Sequence, residues 1–107
     1  MDDAAFLAAI ERCTLPAAEL DHRAHLRLAR LAGARTPELI KRYAASIRAT
    51  GKYNETITQF WMRAVQRHRD DELLDKDLPL KHWSRGLLWS EAARAQWVEP
   101  DLRPLPF

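Results

Sequence analysis

This chain offers almost nowhere to turn a β-hairpin. It holds three glycines in 107 residues, and no Asn-Gly or Asp-Gly pair separates two alternating runs. Its apolar residues return instead at i, i+3 and i+4, the spacing of a single helix face. Alanine, leucine and arginine dominate the composition, and all three favour helix. The pattern predicts an all-α fold.

Local stop and start signals divide that pattern. A first helix is predicted from about Asp3 to Cys13, with Phe6, Ala9, Ile10 and Cys13 on its apolar side, broken by Thr14-Leu15-Pro16. A second begins near Pro16 or Ala17 and runs to Leu31 or Ala32, with Gly33 as its C-terminal cap. Thr36-Pro37-Glu38 reads as an N-cap, a first-position proline and a first-turn acid, opening a third helix that Gly51 closes. A fourth starts around Asn54 and reaches His68 or Asp71, burying Ile57, Phe60, Trp61, Ala64 and Val65. Leu78 to Trp83 forms a turn or two, and Ser90 caps a short helix that reaches Trp97. The sum is a compact bundle of about four main helices with one or two short C-terminal ones. An extended proline-rich tail over residues 98–107 packs upon it, since its three prolines exclude helix.

A length of 107 residues fits a single helical domain over 1–107. Formal net charge is +2, with both signs interleaved, and the pI is near 9.0. Cys13 is the only cysteine, so neither a disulfide within the chain nor a Cys-x-x-Cys site can form. That fits a reducing compartment. No run approaches the ~18 apolar residues of a membrane span, and charge interrupts the N-terminal stretch before a signal-length apolar core develops. The expectation is a soluble cytoplasmic protein with no membrane partner.

Within this apolar frame the stretch Leu20 to Ala32, LDHRAHLRLARLA, carries two histidines three residues apart. Stepping about 100° per residue places Arg23, Arg27 and Arg30 on the solvated side and His22 and His25 in the middle of the face to be buried. Residues three apart are neighbours on a helix surface, so the two imidazoles can converge as two nitrogen ligands, or as an acid and its relay. The plainer alternative is a hydrogen-bonded core histidine, because buried polar groups are normally satisfied.

The second polar group is Tyr53-Asn54-Glu55-Thr56-Ile57-Thr58, at the start of the fourth helix. Asn54 faces inward on the side of Ile57 and Trp61, and Thr58 lies at the edge. Here the local alternative is an Asn54 N-cap, a Glu55 beside the positive end of the helix dipole and a Thr58 at the rim.

At these segments the chain resembles a family of small, uncharacterised bacterial all-helical proteins with H-R-x-H-L-R-L-A, Y-H-E-T-I-T and P-D-L-x-P-L motifs. The matching text is His22 to Ala29, Tyr53 to Thr58 and Pro100 to Leu105. The resemblance implies a candidate site but no reaction. It also implies three imidazoles and a carboxylate, a set suited to zinc or iron. Here Asn54 stands where that pattern has histidine, which leaves two imidazoles, an amide and a carboxylate and lowers the affinity expected for a metal.

These observations support a polar pocket of His22, His25, Asn54 and Glu55, with Tyr53, Thr58 and Trp61 lining it. It would hold a divalent transition metal on His22, His25 and Glu55, or a small polar ligand. In a catalytic version a histidine is the general acid or base and Glu55 orients it. A second reading is a non-enzymatic interaction module docking a protein partner or its own copy through Trp83, Trp89 and Trp97. A third, nucleic-acid binding through Arg23, Arg27, Arg30, Arg35, Lys41, Arg42 and Arg48, is opposed by the near-neutral net charge. His68 and His82 are predicted to be exposed.

Overall fold

The computed structural model describes all 107 residues. Helices form throughout and no strand does, so the fold is all-α. No helix is long and apolar enough to cross a membrane. The chain divides into two compact units, Met1–Tyr53 and Asn54–Phe107.

The N-terminal unit opens with α1, Asp3–Glu11, whose first turn is capped by Asp2 accepting the Ala5 N–H at 2.7 Å. It buries Phe6 and Ile10, one turn apart, and ends where Cys13 enters the left-handed region at φ 57°. The next helix does not start at Pro16. Ala17–Glu19 makes only a 3-10 turn, and Leu20 leaves helical geometry at ψ 61°. Asp21 then caps α2, His22–Ala32, by accepting the Ala24 N–H at 2.9 Å. The aspartate wins because its carboxylate satisfies an end N–H that would otherwise have no partner. His22 and His25 therefore occupy the first turn of α2, not the middle of a longer helix.

Gly33 stops α2 at φ 54°, the C-cap role its sequence position predicts. The third helix departs from expectation at both ends. Thr36 is itself helical and turns its hydroxyl back to the Gly33 carbonyl, 2.7 Å away, while a 3-10 turn over Gly33–Arg35 leads directly into α3, Thr36–Ser46. Arg48, at φ 57°, lies just beyond the end of α3, and Gly51 falls in a separate turn over Thr50–Lys52. Phe6, Ile10, Leu15, Ala24, Leu28, Leu39 and Tyr43 make the core of this unit. Each large apolar side chain removed from water contributes roughly 1.5–3 kcal/mol, and Tyr43 joins the core because its hydroxyl donates to the Leu15 carbonyl. Arg27, expected with the solvated arginines, lies over the Phe6 ring at 4.5 Å and pairs with Asp3 at 2.8 Å.

The C-terminal unit is built on α4, Glu55–Arg67, which buries Thr56, Thr58, Phe60, Trp61, Ala64 and Val65. After a 3-10 turn at Leu78–Lys81 come two short helices, α5 at Arg85–Leu88 and α6 at Glu91–Ala95. Ser84 and Ser90 cap them through their hydroxyl oxygens. The Ser90 start matches the sequence, whereas α5 is too short for periodicity to reveal.

Thr56 ties α4 to α6. Its hydroxyl lies 2.8 Å from the Ala93 carbonyl and 2.9 Å from the Gln96 carbonyl, and it accepts the Val98 N–H at 3.3 Å. Trp83 is fully buried, its indole donating to the Val98 carbonyl and its ring meeting Phe60 and Trp97 edge-on. The segment after Gln96 has no regular secondary structure, and it bends at Asp101–Arg103. The cause of the bend is local. Asp101 accepts both the N–H and the hydroxyl of Ser84, and the His82 carbonyl accepts the N–H of Leu102.

Candidate functional site

His25 is held from within its own helix turn. Its Nδ1 lies 2.8 Å from the Asp21 main-chain oxygen, which also accepts the His25 backbone N–H at 3.0 Å. A carbonyl only accepts, so the ring proton of this contact sits on Nδ1. The lone pair is thereby assigned to Nε2. Every fully buried side-chain nitrogen and oxygen in the chain has a partner, and Nε2 has none, so that atom reaches solvent.

Burial pushes the His25 pKa below its ordinary value. The hydrogen bond to Asp21 works the other way, and the nearby His22 adds to the lowering. The ring is half-buried and neutral at physiological pH. A neutral, oriented imidazole with an outward Nε2 can accept a hydrogen bond, take up a proton or ligate a cation. His22, the first residue of α2, is also half-buried.

The remaining predicted residues fall in both units. Tyr53 closes the N-terminal unit, half-buried, with the Lys41 ammonium 5.2 Å above its ring. Asn54 and Glu55 begin the C-terminal unit. Asn54 is 6% exposed and its side chain is committed at both ends, with Oδ1 accepting the Ile57 N–H at 3.0 Å and Nδ2 donating to the Leu88 carbonyl at 2.8 Å. The local alternative, an N-cap, is the observed one.

Glu55 accepts from Gln59 Nε2 at 2.7 Å within the first turn of α4. Thr58, placed at the rim by the sequence, is buried and returns its hydroxyl to the Asn54 carbonyl at 2.9 Å. Trp61 is a buried core residue packed edge-on against Phe60.

No group of three or more His, Cys, Asp and Glu side chains gathers into a set able to hold a metal ion. Protein zinc sites use three or four such ligands. Within the N-terminal unit His22 and His25 supply two such ligands, fewer than the metal implied by the family resemblance needs. His68 and His82, expected to be exposed, are both half-buried: His68 beside Phe107, and His82 against Phe60 with Nδ1 3.3 Å from the Arg103 carbonyl.

Asp21 is the residue that sequence reasoning passed over. It caps α2 with its side chain and orients His25 with its backbone. An Asp three residues before an apolar-periodic Ala24 is a recognisable start signal, and here the proline at position 16 masked it. Comparison with protein-family models, with curated proteins and with solved structures yields no match.

Proposed function

We propose that this protein binds a small polar ligand at the first turn of α2, with His25 Nε2 as the acceptor that the ligand must satisfy. The observation carrying this reading is the Nδ1 contact to Asp21, which fixes the tautomer and leaves a basic nitrogen open to solvent. The ligand class follows from that nitrogen: a neutral imidazole nitrogen without hydrogen asks for an O–H or N–H donor. If the bound molecule is also a substrate, Nε2 is the atom that would take its proton. The unpaired Cys13 suits a reducing compartment, and the cytoplasm is where we would look for the ligand.

Histidine-ring NMR against a library of small hydroxyl- and amine-bearing compounds tests this. We expect saturable shifts of the His25 ring signals, lost in His25→Ala with helical circular dichroism retained. A library that leaves the ring signals still would sink the reading. So would an unfolded His25→Ala alongside an unresponsive wild type.

The interaction-module reading keeps one specific support. Trp89 is 46% exposed, whereas Trp83 is fully buried and Trp97 half-buried. Sedimentation of the wild type and Trp89→Ala tests it, because a docking tryptophan predicts association that the variant loses.

A further inference from the structure

In the C-terminal unit, Arg63 of α4 and the segment after Gln96 border an open cleft of about 490 Å³. That volume lies within the range of small-molecule sites, roughly 300–1,000 Å³. One wall is ordered by a stack. The Arg63 guanidinium carbon lies 3.7 Å from the centre of the Trp97 ring, close enough for face contact. Trp97 is fixed in turn by its indole N–H to Glu99 at 3.0 Å and by edge-on packing against Trp83. Pro104, Leu105 and Phe107 contribute apolar lining to the same cleft.

The charges lining this cleft are not equivalent. Asp101 uses both carboxylate oxygens on Ser84, at 2.7 and 2.6 Å. Glu99 accepts the Trp97 indole. Neither guanidinium is matched in this way. Arg63 has one long contact to Gln59 at 3.5 Å, and Arg103 is anchored through its main chain, leaving its exposed side chain with no ion pair. The acids are occupied and the cations are open.

We propose that this cleft binds a small planar carboxylate. Its anionic end is taken by Arg63 and Arg103, and its flat apolar body lies against Pro104, Leu105 and Phe107. Guanidinium groups suit a carboxylate because their N–H donors form a fork matching its two oxygens. The stack on Trp97 holds one such fork in place before a ligand arrives, which lowers the ordering cost of binding. The site is separate from His25 in chain and in unit, so either can fail without the other.

The test uses 2-naphthoate, with 2-naphthylmethanol as its uncharged counterpart, followed through the indole N–H signals. Trp97→Phe identifies the Trp97 signal. We expect naphthoate to shift that signal saturably, the alcohol to bind about tenfold or more weakly, and Arg63→Gln and Arg103→Gln each to remove most of the difference. Arg63→Lys should recover little, because it restores charge without the fork. Equal affinity for acid and alcohol, wild-type naphthoate binding in both glutamine variants, or no movement of the Trp97 signal would each overturn the proposal.

Discussion

Asn54 donates its side-chain N–H to the main-chain carbonyl of Leu88, 2.8 Å away and 34 residues along the chain. The same side chain caps α4. One amide thus joins the start of the longest helix in its unit to the end of α5, and both of its polar ends are needed.

Replacing Asn54 with alanine removes a cap, worth typically about 1 kcal/mol. It also strands a carbonyl that the fold buries, at about 1–3 kcal/mol. We expect a loss of roughly 2–4 kcal/mol in urea unfolding. Asn54→Asp keeps the accepting oxygen but turns a buried carboxylate oxygen toward the Leu88 carbonyl, so it should recover at most the capping share.

Thr56 is fully buried and its hydroxyl serves three main-chain groups. Valine has nearly the same shape and no hydroxyl. Thr56→Val should therefore cost about 1–3 kcal/mol and accelerate hydrogen exchange at the Val98 amide, which loses its acceptor. Unchanged exchange at Val98 would show that water replaces the hydroxyl.

His25 gives the stability a pH dependence of known sign. Burial lowers its pKa in the folded chain, so below the ordinary value of about 6.5 the unfolded chain binds a proton more readily than the folded one. Above that value both states are neutral and His25 contributes no slope. Stability should fall as the pH drops below about 6.5, and His25→Gln should flatten that fall. Urea midpoints of wild type and variant at about pH 7.5 and about pH 5.5 give the comparison.

The Ser84 hydroxyl and N–H hold the Asp101 carboxyl below the usual carboxylate range. Its folded pKa is depressed, so the tether is intact above the ordinary value of about 3.9 and is lost as the pH falls through the lowered one. The Ser84 amide shift should follow that titration, with a midpoint below about 3.9. Asp101→Ala should hasten exchange at Ser84 and Leu102 while moving the global unfolding midpoint little, because the carboxylate is exposed.

Much of the secondary structure was legible, because caps and stops act within a few residues. Asn54 before α4, Ser90 before α6 and Gly33 after α2 all sit where their side chains, or the lack of one, dictate. The errors arose where two local signals competed. Pro16 and Asp21 both offer a start for α2, and the 3-10 turn between them lets the carboxylate decide. Thr36 reads as a cap, yet the incoming turn from Gly33 makes it helical and redirects its hydroxyl.

The candidate site was legible only as a set of residue types. That His22 and His25 share one turn follows from their spacing, and the sequence by itself settled it, together with the all-α class. Whether an imidazole nitrogen or an amide is open or occupied depends on partners far along the chain or on the exact helix start. Asn54 meets Leu88, Trp83 meets Val98 while Trp89 faces solvent, and His25 finds a carbonyl only because α2 begins at its capping aspartate. Hydrophobic periodicity reports which face turns inward. It carries no information on which buried atoms satisfy one another, and tertiary packing decided that here.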